Sequence, residues 1–287
     1  MPNKYGVVHQ DTNTFSWKNF VAGGASGLTS LAVGQPFDIV KTRMQTQGAL
    51  YNNNNMTCAR MLLRKEGILA FYKGAGPMVL TTTPAYALQF YGFAKGKQIF
   101  GENSVLSYGL AGSFTAFYVL PLYAVTERIK CVAQTSTKYG KNDLQVLTNL
   151  YKENGFRGLV KGWEATFLRS FVGNAFYFGC YDYWKQGYLK RNGLDQLPMS
   201  LSMLYGGLTG WAYWIVVMPI DTVKSMIQVS ENSSRVTILE IVGEVKQRGF
   251  YKVLYRGFGP ALGRAFPAHA ACFLGYEKTK QVLDLHF

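Results

Sequence analysis

The 287-residue sequence predicts an all-α membrane protein: six transmembrane helices in three tandem pseudo-threefold repeats, each with a short amphipathic helix. Three observations carry this. One charged signature recurs three times, at a period of roughly 90 residues. Six stretches are long enough to span a bilayer, which takes roughly 20 residues of helix. The chain is 48% hydrophobic and only 16% charged, too few charges for a soluble chain of this length.

The signature reads Pro36-Phe37-Asp38-Ile39-Val40-Lys41, then Val125-Thr126-Glu127-Arg128-Ile129-Lys130, then Pro219-Ile220-Asp221-Thr222-Val223-Lys224. A glutamine follows each lysine four residues on, at Gln45, Gln134 and Gln228. A carboxylate and an ammonium three residues apart share a helix face. Three such faces, at the ends of three membrane helices, can close a ring of ion pairs. Chance helix-end charges do not recur in register three times.

The six spans are expected at 17–45, 76–98, 105–134, 166–188, 200–229 and 260–282. Polar residues and glycines interrupt them, as suits helices with one face on lipid and one on a watery path. Gly23 with Gly27, and Gly206 with Gly210, have the spacing of close helix packing. Amphipathic helices are expected near 55–65, 143–153 and 235–247. Each leads into a basic-glycine step: Lys73-Gly74, Lys161-Gly162 and Arg256-Gly257. No repeat can bury its polar face alone, so residues 1–287 read as a single domain, with repeats at about 15–100, 104–190 and 198–284.

The net charge of +14 points to anionic lipid headgroups or anionic solutes. No zinc-finger spacing or RNA-binding aromatic motif supports a nucleic-acid partner. Cys58, Cys131, Cys180 and Cys272 are scattered, without metal-ligand or redox spacing, and read as core thiols. No metal cluster, Walker loop or Ser-His-acid set is visible, so no enzyme is expected. The polar stretch from Met1 to Trp17 has neither a secretory apolar core nor an Arg-rich transit pattern.

With these motifs in register, the chain resembles the mitochondrial carrier family over about residues 15–282. The resemblance implies a solute exchanger of the mitochondrial inner membrane that works by alternating access. Both termini would face the intermembrane space, and the amphipathic helices would lie on the matrix side. It implies a matrix gate of Asp38–Lys130, Glu127–Lys224 and Asp221–Lys41, each pair braced by Gln45, Gln134 or Gln228. A weaker signature, aromatic-acid-x-x-Lys, implies a cytoplasmic gate of Tyr181, Asp182, Lys185, Tyr276, Glu277, Lys280 and Lys97. There Ala94 replaces the first acid, so Lys185 has no acid to meet.

By the same resemblance, Thr81, Arg169, Ser170 and Arg264 are midpoint substrate contacts. Neither arginine has an acid close in sequence, and an unpaired arginine at bilayer depth faces an aqueous path or a partner. Two of them suit a carboxylate held by a guanidinium fork. The stretches Glu127–Cys131, Tyr213–Asp221 and Arg264–Glu277 are similar to the branch carrying carnitine, acylcarnitines and basic amino acids. Ser170 departs from that branch, where an acid follows the arginine. Lys73-Gly74, Lys161-Gly162 and Arg256-Gly257 would hold cardiolipin phosphate at helix N-termini; no other cofactor is implied. His269 stands a turn beyond Arg264, as a proton-sensitive or a packing residue. Repeat two has lost both aligned prolines, at Val125 and Val172, although Pro121 stands a turn earlier. That clustering leaves a second reading open: a carrier fold retained as a structural subunit of a respiratory complex.

Overall fold

The computed structural model describes residues 17–101, 104–140, 142–194, 197–230, 238–247 and 249–286. Six long helices dominate: α1 (Trp17–Gln47), α3 (Ala75–Phe100), α4 (Val105–Thr135), α6 (Trp163–Asn192), α7 (Met199–Val229) and α10 (Phe258–His286). Between them lie α2 (Asn55–Glu66), α5 (Asp143–Leu159), α8 (Ile238–Gln247) and the short α9 (Phe250–Leu254). Among the described residues there is no strand.

The long helices pack in one closed circuit. α1 meets α3, α3 meets α4, α4 meets α6, α6 meets α7, α7 meets α10, and α10 returns to α1. Odd-numbered spans begin each repeat and even-numbered spans end it. Among the described residues, only Val105–Thr135 and Ser200–Val229 are apolar enough, by composition, to stand out as membrane spans. The other four carry polar side chains, as expected of helices that line a polar interior.

Local chemistry sets the ends. Asn54 caps α2, its side chain accepting from the amides of Met56 and Thr57, and Ser104 caps α4 through the Ser107 amide. Gly155, at φ 58°, breaks α5 after its first twelve residues, so the regular surface helix ends where its apolar period does. Prolines lie inside α1 (Pro36), α3 (Pro84), α4 (Pro121), α7 (Pro219) and α10 (Pro267). Each lacks the amide that would close a backbone hydrogen bond of its helix.

Three apolar clusters, one per repeat, seat the surface helices on the odd spans. Ile39, Val40 and Met44 pack with Cys58 and Leu62; Ile129 and Val132 with Val146 and Leu150; Val223 and Ile227 with Ile241 and Val245. Cys58 and Cys131 are buried free thiols, and Cys180 and Cys272 are half-buried.

The closest helix approaches differ from those the glycine spacing suggests. A Cβ at Gly23 or Gly210 would meet nothing, whereas at Gly27 it would lie 3.1 Å from the Thr82 side chain and at Gly206 3.9 Å from the Tyr177 hydroxyl. On Gly96 it would lie 2.6 Å from the Ala111 backbone, and on Gly92 3.1 Å from that of Thr115. Tight seams therefore join α3 to α4 and also α4 to α6, where a Cβ on Gly112 would clash with the Asn174 carbonyl. Small-residue spacing marks a helix face that can approach a neighbour, but which neighbour it meets is set by the circuit.

Candidate functional site

At the end of the bundle beside the surface helices, the three signatures converge. Lys130 Nζ donates to Asp38 Oδ2 at 2.6 Å, joining α4 to α1. Lys224 Nζ donates to Glu127 Oε2 at 2.8 Å, joining α7 to α4. Lys41 Nζ lies 2.5 Å from Asp221 Oδ2, joining α1 to α7. Each signature thus gives its acid to one neighbour and its lysine to the other, which draws the three odd helices together at one end. The six side chains are at most 13% exposed, so every pair is strongly desolvated.

The glutamines behave unequally. Gln45 Nε2 donates to Asp221 Oδ2 at 2.9 Å and to Thr222 Oγ1 at 3.2 Å, and its oxygen accepts from Ser225. It braces the Lys41–Asp221 pair. Gln134 Nε2 donates instead to the Lys73 carbonyl, and Gln228 Nε2 to Thr166 Oγ1. The expectation of three braces is thus corrected to one. The second and third glutamines are fully buried and spend their amide donors on the start of an even helix, at Lys73 and Thr166.

The arginines carry a second correction. Arg169 on α6 is not unpaired. Its Nη1 donates to Glu127 Oε1 at 3.2 Å, and its Nε lies 3.0 Å from Asp221 Oδ1. The latter is a charge contact rather than an aligned hydrogen bond, since Nε has no hydrogen-bond partner. Arg264 on α10 lies 3.3 Å from Asp38 Oδ1. The acids come from helices remote in sequence, which is why the sequence around Arg169 and Arg264 does not show them. Ser170 is buried beside Arg169, and the Thr81 hydroxyl donates to its own helix at the Pro77 carbonyl.

Two further contacts carried no clear sequence signal. The Lys41 ammonium stands 4.3 Å from the centre of the Trp214 ring, a cation–π contact added to its ion pair. Arg43, two residues beyond Lys41, makes a bidentate pair with Glu66 of α2, at 2.5 and 3.0 Å, and donates its Nε to the Gln134 carbonyl. Lys73 meets the same carboxylate at 2.6 Å. The Arg43 hydrogen bond, then that of Lys73, holds Glu66 down at about 2 despite partial burial.

The basic-glycine steps share one geometry. Gly74, Gly162 and Gly257 have φ of 75°, 79° and 78°. A Cβ on Gly74 would lie 3.0 Å from the Lys130 carbonyl, and on Gly257 2.8 Å from that of Lys41. Gly74 and Gly257 let their even helices start against the backbone of the gate lysines, and Gly162 starts α6 against the Ile227 and Gln228 side chains. Lys161 Nζ donates to the Ser230 carbonyl at 2.8 Å. Lys73 is held by Glu66, and the Gly74 amide donates to Asp143.

At the opposite end, Lys97 stands over the rings of Phe93 and Tyr108, and Tyr181 stacks parallel to Tyr177. Asp182 is buried, Lys185 and Tyr276 half-buried. The side chains of Glu277, Lys280 and His269 lie outside the described residues, and with them any pairing of Glu277 or Lys280 in the expected cytoplasmic gate.

The closed circuit, the three interlocked pairs and the repeated glycine step fit what comparison with known proteins finds. The family model described as "Mitochondrial carrier protein" matches three times, over residues 12–104, 102–192 and 195–286. The mitochondrial carnitine carrier of Saccharomyces cerevisiae is 37% identical over 286 residues, covering 91% of this chain and 86% of that one. The human mitochondrial carnitine/acylcarnitine carrier protein is 32% identical, over 93% and 94%. Mitochondrial magnesium exporter 1 of Drosophila melanogaster is also 32% identical, over the same shares. The chain belongs to the mitochondrial carrier family and is a mitochondrial solute carrier built of six transmembrane helices in three repeats.

Proposed function

We propose that this carrier exchanges a small carboxylate-bearing metabolite, carnitine-like or amino-acid-like, across the mitochondrial inner membrane by alternating access. The ion-paired end is the matrix gate, drawn shut here, and both termini face the intermembrane space. The reading rests above all on Arg169, whose guanidinium touches Glu127 and Asp221, acids of two different gate pairs.

The charges argue for an anionic group on the substrate. Asp38, Glu127 and Asp221 stand against Lys41, Lys130, Lys224, Arg169 and Arg264. Two positive charges remain uncompensated within this cluster. A carboxylate that took Arg169 or Arg264 would compete with the gate acids for them. Loss of those contacts weakens the gate, so binding energy is converted into opening. Desolvated ion pairs suit the task because they gain little over water-exposed ions once the gate hydrates. Relatives bear names as different as carnitine carrier and magnesium exporter, so the choice of solute rests on the side chains near the arginines. Ser170 there supplies no charge for a cationic headgroup.

At the membrane surface, Lys161-Gly162 and Arg256-Gly257 are read as cardiolipin phosphate sites, each a helix N-terminus beside a basic side chain.

The test is exchange in proteoliposomes loaded with carnitine, acylcarnitines, amino acids or dicarboxylates. Exchange of at least one carboxylate-bearing solute, lost on Arg169→Gln, is expected. A folded, lipid-binding preparation that exchanges none of them, and that co-migrates stoichiometrically with a respiratory complex in mild detergent, would instead establish the structural-subunit role.

A further inference from the structure

The three junctions where an even helix begins beside a surface helix are not chemically equivalent. At the first, α3 and α5 start side by side. The Asp143 carboxylate, on the first residue of α5, accepts from the Gly74 amide at 3.1 Å and from the Gly76 amide at 2.9 Å. Neither helix has a side-chain cap of its own. One carboxylate therefore neutralises the positive ends of two helix dipoles and satisfies two amides. Gly76 makes room for it, since a Cβ there would lie 2.7 Å from Asp143 Oδ2.

At the junction of α10 with α2, the same two positions are Gly259 and Asn55. Gly259 again stands two residues beyond a positive-φ glycine, Gly257, and Asn55 is again the first residue of its surface helix. A Cβ on Gly259 would lie 3.0 Å from Asn55 Nδ2. The side chain reaches the same place, but it is neutral, and its Oδ1 is buried without a hydrogen-bond partner. At the third junction Gly162 is followed by Glu164, and the chain just before Ile238 lies outside the described residues.

We propose that Asp143 is a built-in counter-anion that closes the α3/α5 junction to phosphate-bearing ligands, whereas Asn55 leaves the α10/α2 junction open to them. The inference rests on the lipid reading of the helix N-termini given above, and it makes the number of bound anionic lipids a property of one carboxylate. An added phosphate would meet Asp143 at close range, with like charges competing for the same two amides. Without that carboxylate, the same amides and dipoles form an anion site.

The test is native mass spectrometry of the full chain in micelles doped with cardiolipin, with thermal stability followed in parallel. Asp143→Asn, nearly isosteric, is expected to retain one more cardiolipin than the wild type. Gly76→Ala, which displaces the carboxylate without altering charge, is the second route to the same opening. Asn55→Asp is expected to retain one fewer. Stabilisation of Asp143→Asn by inorganic phosphate at constant ionic strength would identify the site as one for the free anion as well as the lipid. Wild type and Asp143→Asn retaining equal numbers, while Arg256→Gln loses a lipid, would overturn the role of Asp143 and leave the lipid reading standing. No retained cardiolipin in any variant would overturn both.

Discussion

The gate residues are asymmetric. Asp221 is the most heavily engaged acid, touched by Lys41, Lys224, Arg169 and Gln45. Asp38 has Lys130 and Arg264. Reversing a pair restores its own attraction but turns every other partner of the acid into a like charge. The exchange Asp38→Lys with Lys130→Asp should therefore retain more transport than Asp221→Lys with Lys41→Asp, which sets a new ammonium against Arg169 and Lys224. Exchange assays of the two double variants decide this, and equal loss would mean that the pairs act independently of their neighbours. Arg169→Ala should lose transport and stability together. Breaking a buried ion pair costs roughly 3–5 kcal/mol; the lower end is expected, because Glu127 and Asp221 keep their lysines. A drop in thermal midpoint measured in detergent checks it. An arginine without partners, as local sequence implied, would have left stability nearly unchanged.

At the scale of elements, among the described residues, repeat one alone ties its surface helix to its odd span by a salt bridge. Arg43 reaches from α1 to Glu66 on α2, and Lys73 reaches the same carboxylate from the entry to α3. Five residues beyond the other two gate acids stand Val132 and Met226, neither able to make such a tie. Glu66 is held near 2, below its ordinary value of 4.5, so its contribution is full above about 4.5 and is lost as the pH falls toward 2. Thermal midpoints recorded from pH 7 to pH 3 should fall more in the wild type than in Glu66→Gln, which lacks the titrating group. The seam between α3 and α4 gives a second expectation. Gly96→Leu should force the helices apart and destabilise by roughly 1–3 kcal/mol, the usual penalty of overpacking. Gly23→Leu, where a Cβ meets nothing, should be close to neutral. Comparable losses at both sites would rule out this seam as a tight contact. Polar links hold other seams: Thr29 Oγ1 donates to the Ala271 carbonyl between α1 and α10, and Asn174 joins Thr115 on α4 to Gln89 on α3.

For the whole molecule, the sequence by itself determined the repeat, the six spans and the six side chains that can close an ion-pair ring. These follow from short-range rules: a period near 90 residues, the length needed to cross a bilayer, and an acid and a lysine on one helix face in each of three copies. Threefold recurrence allows two cyclic senses of pairing; the family resemblance implied the one that joins Asp38, Glu127 and Asp221 to Lys130, Lys224 and Lys41, and the structure shows it. What only the tertiary structure decided lies between helices that no repeat relates. Arg169 belongs to one repeat, and Asp221 to the next. Asp143 reaches back across the repeat boundary to Gly74 and Gly76, and Gln134 and Gln228 turn away from the pairs that Gln45 alone braces. Each of these depends on where a side chain lands after the circuit closes. A hydrogen bond is settled over a few tenths of an ångström, whereas sequence spacing places a residue only on a face.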